Sequence, residues 1–540
     1  MRSVSSGDER RQVPQAIASP PVEILTENAH NVLTENARGA PAVYYDASLL
    51  LHFGLKPPVG IVRVEQYLAE YLSKEAPFNL RFVTFDRMMK AYRLLRPSEQ
   101  SLLDDVLFRR YQLPRTGYSE DTASNGSQTT LKMRLRKAWG RLKTAAFISG
   151  HDFGVIMGRE LGRLLPVHQH YSPVRRLATR ILRRSLFLTA RLGHLVLSGL
   201  SLPARKNGLL VAIGGGQAAS AHDFASGDTV ISVANAWDYM DYEYLTKIVR
   251  RDGVRLIGVI HDVIAMEMPF TTPAPLHIYH RHWVELGHLA AHLVAISKYS
   301  LSSYHRFIGE PNDVDPPMSH AYLPNFLYER RDEIGETVVA ELLDRRFVVF
   351  CSTIETRKNH ILLLNLWDRL RQEIDPETLP VLVFVGNWGW GTEAVRLFSD
   401  RNWRLRKHLR ILNDLSDAEL IWLYRNARFT AFPALAEGFG LAAAESLSFG
   451  TPVVVSNCPA LLEASEGLMP AYEPHDFPGW LAEMRRLILD DAYLTSLRGK
   501  AAQYKGAGYD DFARAIRDAC VADASRSDGL AFGERGKAGV

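Results

Sequence analysis

Two carboxylates, Glu437 and Glu445, stand eight positions apart in the stretch EGFGLAAAESLSFGTPVVVSN, across a Gly-Phe-Gly turn. The turn residues predict the start of a short helix that Gly450 and Pro452 close. Glu437 then lies in the loop before the helix. The backbone N–H groups of Phe439, Gly440 and Leu441 lie at its N-terminus, where the helix itself leaves them unused and an anion is favoured. Glu445 falls roughly 7–8 Å along the axis, at about 1.5 Å per residue. Two acceptors for hydroxyl groups thus flank a cradle for an anion such as a diphosphate. A buried helix with two incidental glutamates is the structural alternative. A carboxylate among the small apolar residues of GLAAAESL is costly there unless something pairs with it.

The second cluster is TIETRKNH, residues 353–360, which follows an apolar run at 347–352. Arg357 and Lys358 are expected at the mouth of a cleft, where fixed cations favour a leaving group that gains negative charge. A third feature is His261-Asp262 in HDVIAMEMP, at the end of the run 255–260. An imidazole there can hydrogen-bond a hydroxyl, with Asp262 as a candidate to orient the ring. Gly60, in PPVGIVRV, suits a close approach of backbone to a ligand. Gly386, with Asn387, Trp388 and Gly389, ends the run 381–387. Trp388 and Trp390 are candidates for stacking on a base.

These motifs sit on short apolar runs followed by helical periodicity, the pattern of parallel strands with crossover helices. The first series comprises strands near 42–46, 79–85, 209–215, 229–235, 255–262 and 292–298, with a helix over 61–72. The second comprises 347–353, 381–387, 408–412, 429–434 and 452–457. Two such halves imply two Rossmann-like domains facing a cleft, with ligands at the carboxyl ends of the strands.

In its E-x7-E segment, its GTIEPRKN-like TIETRKNH and its HD pair, the chain resembles the retaining, GT-B-fold glycosyltransferases of family 4. The resemblance covers roughly 41–72 and 209–505 and is strongest over 347–465. It implies an α/β GT-B fold and metal-independent transfer of a hexose from a nucleotide sugar, with retention. The acceptor is a growing lipid-linked or polysaccharide chain, as in lipopolysaccharide or exopolysaccharide synthesis. His261, Lys358 and Glu437 are the catalytic candidates. Gly60, Arg357, Lys358, Gly386, Phe439, Gly440, Leu441 and Glu445 are the donor-binding candidates. Glu437 would take hydroxyls of the donor sugar, Glu445 the ribose, and Arg357 and Lys358 the diphosphate. No metal site and no cofactor is expected beyond the donor, with GDP-mannose or dTDP-rhamnose favoured by analogy. Two departures stand out: Thr353, where the family often has an arginine, and Ala442, where proline is common. A non-catalytic GT-B protein that binds a glycan or partners an enzyme is the alternative. A nicotinamide-dependent oxidoreductase is a more distant one, since Gly214–Ala219 fits G-x-G-x-x-A but the next strand ends at Asn235 rather than an acid.

The domain reading is a mobile tail at 1–40, an N-terminal acceptor domain at 41–330 and a nucleotide-sugar domain at 331–505. A C-terminal helix at 506–525 and a disordered tail at 526–540 complete it. Residues 96–200 read as a helical, basic insertion. There 131–143 carries six Lys or Arg and no acid. On a wheel of 174–195, Arg176, Arg180, Arg183, Arg184 and Arg191 share one face beside Leu177, Ile181, Leu188, Leu192 and Leu195. An anionic membrane surface is one partner such a helix fits. An ordinary surface helix and, more weakly, RNA binding are the others. A net charge of only +4 gives no general case for nucleic acid. Three dispersed cysteines suggest neither a disulfide framework nor a zinc site, and fit a cytoplasmic setting. No signal-peptide-like run opens the sequence, so a cytoplasmic protein, peripheral on the inner membrane, is expected.

Overall fold

The computed structural model describes residues 41–54, 60–108, 220–233, 240–272 and 275–521. The basic segments 131–143 and 174–195, the run 209–215 with its glycines, and both tails lie outside the described residues. So does 55–59, just before Gly60.

Among the described residues the first sheet holds seven strands: β1 (Val43–Asp46), β2 (Leu80–Asp86), β3 (Ala91–Leu94), β4 (Thr229–Ser232), β5 (Arg255–Ile260), β6 (His292–Ala295) and β7 (Met318–His320). Their spatial order is β3-β2-β1-β4-β5-β6-β7, and every pair is parallel except β2–β3. β1 and β4 are buried at every position, as central strands covered on both faces are. Two helices of this half matter below, α1 (Ile61–Glu75) and α2 (Pro97–Phe108). α2 falls in the stretch read as the start of the insertion. Its Leu103, Val106 and Leu107 are buried with Tyr67 and Leu68 of α1, so its apolar face belongs to this half's core.

The second sheet holds β8 (Phe347–Cys351), β9 (Val381–Val385), β10 (Leu409–Leu412), β11 (Thr430–Phe432), β12 (Val453–Ser456) and β13 (Ala471–Tyr472). The order is β10-β9-β8-β11-β12-β13, parallel throughout. α3 (His360–Leu370) follows β8, α4 (Asp417–Asn426) follows β10, and α5 (Leu441–Ser448) follows β11. α4 opens on a capping box: the Ser416 hydroxyl accepts from Glu419 N, while the Glu419 carboxylate accepts from Ser416 N. The last described helix, α6 (Asp511–Val521), returns to the first half, where Phe512 and Ile516 join the core around Tyr67. These are the two Rossmann-like halves that the strand pattern predicts, in the α/β class that the GT-B resemblance implies.

Candidate active site

Of the residues singled out from the sequence, His261, Arg357, Lys358, Gly386 and Glu437 lie in the segments that follow the carboxyl ends of β5, β8, β9 and β11, where parallel sheets of this type bind ligands. β8 runs into a tight turn, Thr356–Lys358, and Asn359 follows in the left-handed conformation (φ 60°). The amide of Asn359 donates to the carbonyls of Pro433 (3.2 Å) and Pro474 (3.1 Å). The turn is thereby tied to the loop after β11, and Leu435 N donates to Arg357 O at 2.8 Å. Arg357 and Lys358 therefore meet Glu437, which that same loop carries.

Lys358 Nζ lies 2.5 Å from Glu437 Oε1, and Arg357 Nη1 lies 3.0 Å from Oε2. Arg357 Nη1 also donates to the carbonyl of Ala436 (2.9 Å), and its Nε lies 2.9 Å from Glu355 Oε1. Burial alone would push the Glu437 carboxyl up, but Lys358 and Arg357 outweigh it and hold the group below its ordinary value. Glu355 is the opposite case, since burial wins over the same two cations and raises it. One carboxylate is thus fixed in the charged form while its neighbour is pushed toward the neutral one. With Thr353 uncharged, Arg357 is the second cation beside Glu437, and it also meets Glu355 and the Ala436 carbonyl, whereas Lys358 ends on Glu437.

Past Glu437 the chain enters the first half of the molecule. A Cβ on Gly438 would collide with the backbone carbonyl of His261, so only glycine permits this approach. The Gly438 carbonyl accepts from Ser297 Oγ (2.5 Å) and Ser300 Oγ (2.9 Å), both just after β6. Phe439 is buried in the first half's core and stacks on Tyr322. Gly440 has φ 108° and opens α5 at Leu441. The N–H groups of Phe439, Gly440 and Leu441 thus lie at the helix N-terminus that the Gly-Phe-Gly turn predicts.

Glu445 is the fifth residue of α5 and is buried. Its Oε2 accepts from the Tyr424 hydroxyl at 2.9 Å. Burial pushes its pKa up to about 7, against the pull of Arg63 and Tyr424. Arg63 comes from the first turn of α1, three residues after Gly60, and its Nη2 lies 2.7 Å from Asp417 Oδ1 at the start of α4. Gly60 itself caps α1 with φ 50°.

His261 is buried at the end of β5, and its Nε2 donates to the carbonyl of Val233 at 2.8 Å. Burial keeps the ring below its ordinary pKa, hence neutral. The expected orienting role of Asp262 is corrected here. Its carboxylate accepts from Ile264 N (3.1 Å), and the ring is held by Val233. Gly386 (φ 149°) packs on the Ser352 carbonyl, where a side chain has no room. Of the two tryptophans, Trp388 carries the Arg396 guanidinium 3.8 Å from its ring centre, and Trp390 Nε1 donates across to Thr271 O at 2.6 Å. Trp388 thus already has a cationic stacking partner.

Arg63, Asp417, Tyr424, Ser297 and Ser300 join the site without being among the residues the motifs single out. Arg63 lay inside the PPVGIVRV motif, one helical turn from its glycine. Ser297 carried a signal too, since its side chain accepts from Ser300 N at the start of a helix. Nothing local marks Tyr424, which reaches Glu445 only through the packing of α4 on α5.

Residues 337–466 match the family model Glycosyl transferases group 1. The O-antigen chain mannosyltransferase B of Escherichia coli is 26% identical over 254 residues, covering 46% of this chain and 65% of that protein. A serotype-specific mannosyltransferase WbdA of Escherichia coli is 25% identical over 197 residues, 35% of this chain and 24% of that one. The chain thus spans less than two thirds of either relative. Among solved structures, the N-terminal domain of Candida albicans trehalose-6-phosphate phosphatase aligns over 90% of this chain and 96% of that one, at 12% identity and TM-score 0.48.

Proposed function

Residues 337–466 are a glycosyl transferases group 1 domain, and from that premise we propose that this protein moves a hexose from a nucleotide sugar to a hydroxyl of a glycan acceptor. The observation that carries the reading is the pairing of Glu437 with Arg357 and Lys358 beside the N-terminus of α5. Without a donor, the carboxylate serves as counter-ion to both cations. A diphosphate arriving at the turn competes for Lys358 and releases Glu437 toward the hydroxyls of the donor sugar. The helix N-terminus and the cations then stabilise the charge that grows on the leaving group, the electrostatic role a metal fills elsewhere. Metal-independent transfer with retention belongs to this proposal. Glu445 would accept from the ribose. Neutral His261 sits near the sugar, its remaining ring nitrogen an acceptor.

Mannose is the favoured sugar, because the two Escherichia coli relatives are named as mannosyltransferases. GDP-mannose is then the favoured donor, with dTDP-rhamnose the second choice. A lipid-linked acceptor, and peripheral attachment to the inner membrane through 131–195, complete the proposal. No described helix is long and apolar enough to cross a membrane. Purified protein with GDP-mannose and a mannose-ended oligosaccharide should release GDP and extend the oligosaccharide in the presence of a chelator. Failure across GDP-, UDP- and dTDP-hexoses would overturn the reading. Absence of binding to anionic liposomes at low salt would remove the membrane part alone.

A further inference from the structure

Beside this site lies a cavity of about 320 Å³, within the size range of small-molecule sites. The first half of the molecule supplies Glu267, Phe270 and Tyr299 to its wall, and the second half supplies Asn457, Glu473 and His475. Its wall is shared with the catalytic turn. Leu435, another lining residue, is the one whose N–H donates to Arg357 O, and lining residue Pro474 accepts from Asn359.

Three features define what would fit. Glu267 has one carboxylate oxygen fixed by the Tyr299 hydroxyl, and its other oxygen, Oε2, is buried with no hydrogen-bond partner. An acceptor left so costs about 1–3 kcal/mol, and a ligand hydroxyl would remove that cost. Across the cavity, the Glu473 carboxylate accepts from the Asn457 amide, which places a second carboxylate and an amide side by side. Phe270 is 72% exposed at the rim, an apolar ring face turned to solvent. Its segment is fixed where Trp390 donates to Thr271 O. Among the described residues the wall carries two carboxylates and no Lys or Arg, which disfavours phosphates and carboxylates.

We propose that this cavity is the acceptor subsite and that it binds a neutral pyranose. The C–H face of the sugar lies on Phe270, and its hydroxyls donate to Glu267 Oε2 and to the Glu473 carboxylate. The inference rests on reading the chain as a glycosyltransferase. It adds that the acceptor end is an uncharged sugar ring rather than a phosphorylated one.

Saturation-transfer NMR on the full chain tests it, with the methyl α-glycosides of mannose, glucose and galactose as probes and mannose 6-phosphate as charged control. At least one neutral glycoside should receive saturation, with mannose 6-phosphate at least tenfold weaker. Phe270→Ala and Glu267→Gln should each weaken the glycoside at least fivefold while GDP binding is unchanged. Phe270 is a surface side chain, so its variant should keep the wild-type melting temperature. Equal glycoside signals in wild type and both variants would overturn the assignment. So would the absence of signal from every neutral glycoside. If GDP, UDP and dTDP bind the wild type in that case, the subsite alone is wrong; if none binds, the donor reading falls with it.

Discussion

Lys358 Nζ rests 2.5 Å from Glu437 Oε1, and the residue next to it in sequence, Arg357, holds the other carboxylate oxygen at 3.0 Å. Glu437 was expected to read a sugar and the cations a diphosphate. In the structure the carboxylate and both cations pair with one another. Breaking such a buried pair from one side leaves an uncompensated charge, so the site can hold this arrangement only until a ligand replaces a partner.

Lys358→Ala should lower kcat by about 10²–10³, the scale of losing one preorganised charged donor. Arg357 remains as the anchor of Glu437, so the fold should survive. Steady-state turnover with the identified donor checks this, and near-normal turnover would remove Lys358 from the mechanism.

Glu437→Gln should act in two directions. It removes the resident counter-ion, so a nucleoside diphosphate should bind several-fold more tightly. Transfer should fall about 10- to 100-fold, from the roughly 1.5–3 kcal/mol of a hydrogen bond to a charged group. Calorimetry and turnover on one preparation measure both. Weaker nucleotide binding in this variant would contradict the competition described above.

Glu445 links the site to pH. Its folded pKa stands at about 7, above an ordinary 4.5, because burial disfavours the charged form. The folded state therefore holds the proton more tightly, and the stability it gains is full below about pH 4.5 and lost as pH rises through about 7. Glu445→Gln should be more stable than wild type at pH 8 by about 2–3 kcal/mol, and equal to it near pH 5. Removing Arg63, whose charge opposes the rise, should move the transition to higher pH. Melting temperatures from pH 5 to 8 give both results, and parallel curves for wild type and Glu445→Gln would refute the assignment.

The approach of Gly438 to His261 joins the two halves. Gly438→Ala inserts a methyl group against a backbone carbonyl, which cannot yield as a side-chain tip can. Overpacking of this kind costs about 1–3 kcal/mol. The damage should fall on transfer as well as stability, because Glu437 precedes the displaced residue. Unfolding by urea and turnover should both register it.

Much of this arrangement was legible in the residues because strand ends carry strong local signals. The apolar runs 347–353 and 381–387 correspond to Phe347–Cys351 and Val381–Val385, and the polar residue after each marks the cleft. β3, β7 and β13 have no counterpart in the predicted series, being four, three and two residues long with too little pattern to read. The pairing partners were less accessible still. That Arg63 reaches Asp417, or that Phe439 stacks on Tyr322, follows from how the halves dock and leaves no trace in local periodicity. His261 shows the limit from the other side: its neighbour Asp262 suggested an orienting carboxylate, and a carbonyl from the adjacent strand's end took the role.

In the proposed mechanism Lys358, released from Glu437, holds the diphosphate of the donor. Calorimetric titration of the full chain with GDP, UDP and dTDP, in the presence of EDTA, tests it most directly when wild type is compared with Lys358→Ala. At least one nucleotide should bind the wild type, and that affinity should fall at least tenfold in the variant. No binding by any of the three, or equal affinity in the variant, would contradict the claim.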